Sequence, residues 1–188
     1  IYRRLARRWL STDLPPAFET YVRDRLKRYD RVTAGAESRD ASRPFAGFID
    51  IWNQELFFEA HEYLETIWQH TGGDRHLALK GLIKAAGVYV HLENNRRAAA
   101  RRLAPRAYRQ MKDHAESLGF IANLDRLLDC MQRVAPAPPR LKLNKAFDCF
   151  RKAENIFISV QSDAKVAKMY GEIEKLSDKL QRHGDFIN

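Results

Sequence analysis

Apolar residues recur three and four positions apart along most of the chain, which is the spacing that brings them onto one face of an α-helix. No segment alternates apolar and polar residues with the period of two that is typical of a half-buried strand. No Asn-Gly or Asp-Gly dipeptide, the usual turn of a β-hairpin, occurs either. The pattern therefore predicts an all-α fold.

The predicted helices follow one another through short connections. They cover approximately residues 16–29, 45–53, 56–70, 75–93, 96–117 and 121–134, and two further helices cover 144–160 and 163–182. Asp74 is expected to cap the helix that begins near residue 75, and Pro105 predicts a kink or a split in the helix that contains it. The helix over 75–93 is apolar on nearly every side, so we expect it at the centre of a bundle.

The chain is long enough to bury a core of its own. Its clearest linker is the Pro-rich segment 136–140, which separates a helical bundle over 1–135 from a C-terminal helical hairpin over 141–188. We therefore predict a bundle of about five main helices with an additional C-terminal hairpin. A single hairpin cannot bury its own apolar face, so it is expected to dock on the bundle or to form a homo-oligomer.

The helix over 56–70 carries the densest group of ionisable residues. Helical spacing places His61 beside Glu65, and Glu62 close to both. The opposite side of the helix forms a core face, and its residues are Phe57, Ala60, Leu64, Ile67 and Trp68. Ionisable groups at the margin of a core must be paired, bound to a metal or shifted in pKa, because burying an unpaired charge is costly. The group is therefore either a site or a structural network.

A second polar stripe interrupts the central apolar helix. Lys80, Lys84, Gly87 and His91 follow one another at four, three and four residues. If the two helices pack antiparallel across the turn Gly72-Gly73, this stripe can face His61, Glu62 and Glu65.

Three interpretations of this seam stay open. In the first, Lys84 offsets a glutamate charge and the network fixes helix register. In the second, His61, Glu65 and His91 bind a divalent metal, with Glu62 beside them, although the positive charge of Lys84 opposes a cation. In the third, a polar molecule sits between the helices and a glutamate next to a histidine moves protons.

The same region resembles a known family. In this chain the positions of the family motif are occupied by Phe57-Phe58-Glu59-Ala60-His61-Glu62-Tyr63-Leu64-Glu65-Thr66-Ile67-Trp68, then by Gly81-Leu82-Ile83, His91, Asn95 and Ala98-Ala99. Over residues 45–103 the chain resembles domain of unknown function 309. The resemblance implies a small helical bundle without an established activity, and it adds Glu59 and Asn95 to the candidate site. Lys84, Asn94 and Ala98 depart from the usual Gln, Gly and Gly of that family.

Charge is unevenly distributed along the chain. The formal net charge is +9. Within the helix over 96–117, residues 96–112 include seven basic residues and no acidic residue. Its candidate nucleic-acid or anion patch consists of Arg97, Arg101, Arg102, Arg106 and Arg109. No helix-turn-helix or zinc-finger motif accompanies these residues, so only binding that does not depend on sequence is predicted.

Cysteine usage and hydropathy bear on the compartment. Cys130 and Cys149 are too few for a disulfide framework or a cysteine-based zinc site, which favours a reducing environment. No window approaches the roughly 20 apolar residues of a membrane span. The cytoplasm is the default prediction. An organellar location is kept as an alternative, because the chain begins with Ile1 and the sequence does not identify its native start.

Two classes of function follow from these observations. The first is a binding or interaction module with a polar His/Glu/Lys seam between two core helices. The alternative is a metal-assisted or acid/base hydrolase that uses His61, Glu62, Glu65 and His91. Non-specific nucleic-acid binding through the Arg-rich helix is a further alternative. No cofactor is predicted apart from a divalent metal under the second interpretation, no partner is identified, and whether the chain is an enzyme is left open.

Overall fold

The computed structural model describes residues 14–34 and 44–144, together with residue 8 and residues 10–12. Within the two long ranges the chain forms α-helices and no β-strand, so the all-α prediction is confirmed. The helices are α1 (Pro16–Ala34), α2 (Pro44–Asn53), α3 (Phe57–Trp68), α4 (Gly73–Glu93), α5 (Arg97–Asp113) and α6 (Leu124–Arg133), with a short 3₁₀ helix at Ala115–Leu118 between the last two.

The chain divides into two compact units, Ile1–Phe150 and Arg151–Asn188. The description that follows concerns the first unit. The predicted C-terminal hairpin and the homo-oligomer that it would form lie outside the described residues, and both remain predictions. Within the described part of the chain, no helix combines the length and apolar character that crossing a membrane requires.

Helix α4 lies at the centre of the bundle, as its apolar sequence predicts. Its main neighbours are α5 and α3, and α2 packs in turn against α3. The buried residues of α4 cover most of its circumference and are Ala78, Leu79, Gly81, Leu82, Ile83, Ala85, Ala86, Val88 and Tyr89. A helix that is buried on so many sides must receive a neighbour on each of them.

The neighbours of α4 run antiparallel to it. On the α3 side, the ring centroids of Phe57 and Tyr89 are 5.0 Å apart at one end, and those of Trp68 and His76 are 4.4 Å apart at the other. On the α5 side, Gly81 lies against Met111 and Gly87 lies against Leu103. The predicted antiparallel packing of the two motif-bearing helices is therefore what the structure contains.

The structure contradicts the expected Asp74 cap of α4 and contains no split of α5 at Pro105. Helix α5 continues through Pro105 without a split, and Pro105 is exposed whereas Ala104 and Ala107 on either side are fully buried. Packing of these alanines against the bundle offsets the backbone hydrogen bond that proline cannot donate. Gly72 is the N-cap of α4, and Asp74 is the second residue of the helix, where its carboxylate is 3.3 Å from His114 Nδ1.

The predicted Pro-rich linker lies within the first unit, where hydrogen bonds join residues 139–142 to the bundle. Trp52 Nε1 donates to the carbonyl of Pro139 over 2.9 Å. The Asn53 side chain both donates to the carbonyl of Leu141 and accepts from its N–H, at 3.0 and 2.8 Å. Asn123 makes the same two-sided contact with the backbone of residues 140 and 142. These amide contacts, together with the backbone hydrogen bonds of Ala122 to Lys142 and of Asn144 to Phe120, satisfy the backbone of this segment.

We expect Gly81→Ala to lower the free energy of unfolding by about 1–2 kcal/mol, although alanine normally stabilises a helix relative to glycine. An added Cβ would lie 2.9 Å from the backbone nitrogen of Met111 and 3.0 Å from Gln110 Cβ, so α4 and α5 would have to separate. Urea denaturation followed by circular dichroism measures the change.

Gly87→Ala is the matched control for this substitution. Its new methyl group would meet only the Leu103 Cδ2 atom, at 3.2 Å, and a leucine side chain can turn away. We expect an unchanged or slightly higher free energy of unfolding. Equal effects of the two substitutions would show that the close approach at Gly81 does not limit the packing of the two helices.

Candidate functional site

Helix α3 separates its apolar and ionisable residues onto different sides. Phe57, Ala60, Leu64 and Ile67 are buried in the core, as the spacing predicts. His61, Glu62 and Glu65 are all partly exposed. Because residues three and four apart share a face, the side that is turned away from the core brings this imidazole and these two carboxylates together.

The three side chains form the acidic group of the bundle. His61 Nε2 is 3.4 Å from Glu65 Oε1 and 4.0 Å from Glu62 Oε1. One ligand atom from each residue lies within 4.8 Å of the other two. About a third of each side chain is exposed, at 31%, 27% and 31% for His61, Glu62 and Glu65. The acidic group is therefore compact and open to small molecules from solvent.

Glu59, the first residue of the motif, has partners on a different helix. Arg25 Nη2 of α1 is 2.5 Å from Glu59 Oε2, and the Tyr29 hydroxyl donates a short hydrogen bond to Glu59 Oε1. The side chains of Arg25 and Glu59 are only 16% and 12% exposed. This partly buried ion pair joins α1 to α3, and Glu59 does not belong to the acidic group.

The electrostatics of this ion pair follow from its burial. Burial is the largest single effect and disfavours the charged guanidinium of Arg25, but the Glu59 carboxylate together with Tyr29 and Tyr21 raises the pKa of Arg25 above its ordinary value. Burial and the negative charge of Glu59 both raise the pKa of the Tyr29 hydroxyl. Arg25 therefore stays charged and Tyr29 stays protonated, and each donates to the same carboxylate.

The polar stripe of α4 meets α5 rather than pairing with the acidic group. Lys84 Nζ donates to Gln110 Oε1 of α5 over 2.5 Å, and Gly87 lies against Leu103 of the same helix. Partial burial, followed by the charges of Lys80 and Arg106, lowers the pKa of the Lys84 ammonium. Among the described residues, Lys84 forms no ion pair with the glutamates of α3, because its ammonium donates to Gln110 at the junction of α4 with α5.

His91 and Asn95 lie near the end of α4. His91 is half-buried and is not a member of the compact group formed by His61, Glu62 and Glu65. Asn95 has φ of 55° and is exposed, and its N–H donates to the carbonyl of Leu92 over 3.0 Å. Asparagine tolerates this left-handed conformation better than most residues do, which gives Asn95 a role in the turn between α4 and α5.

The predicted anion patch lies on the exposed surface of α5. Arg97, Arg101, Arg102, Arg106 and Arg109 are all exposed. The opposite face of the helix is buried and consists of Ala100, Ala104, Ala107 and Met111. The arginines therefore occupy the solvent side of a helix whose apolar side is fully used by the bundle.

Sequence reasoning did not identify Arg25 and Tyr29 as partners of Glu59. These residues are four apart on α1, so helical spacing places them side by side. That spacing would have indicated a shared target, but the partner is 34 and 30 residues further along the chain. Which acid they meet depends on how α1 docks, and local periodicity contains no information about docking.

We expect Glu59→Gln to destabilise the fold by about 3 kcal/mol, because it leaves the Arg25 guanidinium partly buried without its counter-charge. Val22 is the one buried residue of α1, so the ion pair of Arg25 with Glu59 is a main contact of that helix. Hydrogen exchange should accelerate in α1 more than in α4. A double-mutant cycle with Arg25→Met should give a favourable coupling energy between the two side chains.

Arg23→Gln provides the control for that measurement. It breaks an ion pair with Glu19 on the same helix, whose side chains are 56% and 42% exposed. An exposed pair contributes little, so the free energy of unfolding should change by less than about 0.5 kcal/mol. Equal losses for Arg23→Gln and Glu59→Gln would contradict a special role for the partly buried pair.

The comparisons with known proteins concern the middle of the chain. The chain matches no curated protein and no solved structure. Residues 45–103 match the model of a family whose description gives no activity. This range contains α2, α3 and α4 and the first residues of α5, and with them the acidic group, and the predicted resemblance is confirmed. Over residues 45–103, the chain is similar to the family described as Domain of unknown function (DUF309).

Proposed function

We propose that this protein is a binding module whose acidic group of His61, Glu62 and Glu65 holds a divalent metal ion. The observation that carries the proposal is the convergence of one imidazole nitrogen and two carboxylate oxygens within 4.8 Å of one another. Imidazole and carboxylate are the ligand types that zinc and similar divalent ions accept in proteins.

The distances within the acidic group fit such an ion. A tetrahedral divalent ion binds nitrogen and oxygen at about 2.0–2.1 Å, so two of its ligands lie about 3.3 Å apart. The separation of His61 Nε2 from Glu65 Oε1 is 3.4 Å. The Glu62 oxygen is 4.0 Å from the same nitrogen, and a small rotation of its flexible side chain would bring it to the same range.

The surroundings of the acidic group also support a cation. A lysine facing these carboxylates would oppose a metal, but the hydrogen bond of Lys84 is made to Gln110 of α5. Burial is the largest cause of the lowered Lys84 pKa, and the charges that add to it are those of Lys80 and Arg106. The proposed ligands are thus His61, Glu62 and Glu65. Glu62 takes the place of His91 in the ligand set predicted from the sequence.

A hydrolytic activity is a second candidate function. Three protein ligands leave a divalent ion with at least one position for water, which is the arrangement of catalytic zinc sites. The partial exposure of the three side chains favours this arrangement, because a small substrate can approach the group from solvent. The bound ion would supply Lewis acidity, and the acidic group would hold the ion in place.

Metal content provides the first test. Purified full-length protein is incubated with Zn²⁺ or Mn²⁺, dialysed and measured by elemental analysis. We expect about one ion per chain in the unsubstituted protein and its loss in His61→Ala and Glu65→Gln. Bound metal should also raise the melting temperature, because a ligand that binds only the folded state stabilises it. Acidification should weaken binding, since protons compete for the imidazole and the carboxylates.

His114→Ala is the matched control for metal binding. His114 is also paired with a carboxylate, but with Asp74 alone, at 3.3 Å. Metal content should be unchanged in this variant. An unsubstituted protein that holds no metal would overturn the proposal, and a large loss of stability in Glu65→Gln would then assign the acidic group to the structural network.

A further inference from the structure

A second polar surface of the bundle is basic and is built from two helices. Its members, which we call the basic surface, are Lys80 and Lys84 of α4 and Arg102, Arg106 and Arg109 of α5. Gln110 joins the two helices here by accepting the hydrogen bond from Lys84. Lys80 and Arg106 both lie close enough to Lys84 to lower the pKa of its ammonium. The five charges therefore form one surface across the junction of α4 and α5.

The arginines of the basic surface lack counter-charges within the described part of the chain. Arg102, Arg106 and Arg109 are exposed, and none forms an ion pair with a described carboxylate. Helix α1 shows the contrast, because its Arg23, Arg25 and Arg28 each pair with a carboxylate. Like charges that are held together without acids create a positive potential that favours an anionic partner.

The shape of the basic surface favours an extended anion. Helix α5 contains 17 residues and is therefore about 25 Å long. Residues 102, 106 and 109 are four and three apart, so they form one row along its exposed side. A single phosphate ion would contact only part of this row. Planar guanidinium groups bind phosphate oxygens in pairs, which suits a chain of phosphates.

The apolar residues of α5 argue against a membrane surface as the partner. A helix that lies in a membrane interface buries an apolar face among the lipids. The apolar face of α5 is already buried in the bundle. The large apolar side chains that are exposed in the described residues are Tyr21, Phe58 and Leu77, and none belongs to α5.

The aromatic residues of α5 argue against single-stranded nucleic acid. Proteins that bind single strands combine positive charge with aromatic side chains on which bases stack. Tyr108 is the one aromatic residue of α5, and Lys112 lies over its ring at 5.5 Å from the centroid. A straight row of guanidinium groups without a stacking platform is suited to the backbone of a duplex.

We propose that the basic surface binds the phosphate backbone of a nucleic-acid duplex without reading its sequence. This interaction is separate from the metal site proposed at His61, Glu62 and Glu65, because it uses the junction of α4 with α5 and not the exposed side of α3. Arg97 and Arg101 lie further towards the start of α5 and extend the positive charge beyond the basic surface.

Fluorescence anisotropy with a labelled duplex tests the proposal. The probe is DNA of mixed sequence and about 20 base pairs, which is longer than α5. About four phosphate contacts should weaken binding roughly 100-fold between about 50 and 200 mM salt, since each contact releases counterions. Affinity that is unchanged by salt would overturn the proposal. So would binding to vesicles of anionic lipid in the absence of binding to the duplex.

Charge-neutralising variants locate the contact. The triple variant R102Q/R106Q/R109Q should bind more weakly at low salt, and its log–log salt slope should be shallower by about 2.7. The matched control R23Q/K27Q/R31Q removes the same charge from exposed positions of α1 and should keep the original slope. A control that loses as much affinity as the α5 variant would assign binding to net charge alone and overturn the proposal.

The double variant K80Q/K84Q tests the contribution of α4. Glutamine at position 84 can still hydrogen-bond Gln110, so the helix junction should remain intact. A shallower salt slope than that of the unsubstituted protein is expected, and an unchanged slope would exclude α4 from the surface. Circular dichroism and melting temperature, compared with the unsubstituted protein, establish that each variant is folded.

Discussion

Small residues allow α4 and α5 to approach each other closely, and most of the described structure depends on this contact. Ala100, Ala104 and Ala107 of α5 are fully buried, and Gly81 of α4 lies where a methyl group would collide with the Met111 backbone. At Gly81 such close packing leaves no space for an added side chain, because the Met111 side chain and backbone already fill it. Lys84, three residues further along α4, donates to Gln110 at the same junction.

The same contact separates the charges of the protein. The acidic group is carried by α3, whereas Lys84 donates to Gln110 of α5 and lies close to Lys80 and Arg106. The two proposals therefore concern different helices, the metal site α3 and the basic surface α4 and α5. The partly buried pair of Arg25 and Glu59 has a different purpose, because it connects α1 to the bundle.

Periodicity was sufficient to predict much of the fold and part of the candidate site. Every core residue expected on α3 apart from Trp68 is buried, and Trp68 is half-buried. The proximity of His61 to Glu65 is likewise confirmed at 3.4 Å, because a helix fixes the spacing of residues four apart. Predictions failed where a choice between neighbouring helices was involved, as with Lys84, or where packing overrode a local preference, as with Pro105.

The sequence by itself determined the helical elements, the central place of α4 and the grouping of His61, Glu62 and Glu65, because each follows from the geometry of one helix or from its apolar content. Only the tertiary structure decided that Glu59 pairs with Arg25 and that Lys84 joins α5. These contacts depend on how each helix is rotated against its neighbours, which is set by close packing of small residues across interfaces. Residues on one helix face carry no record of which neighbour will cover that face.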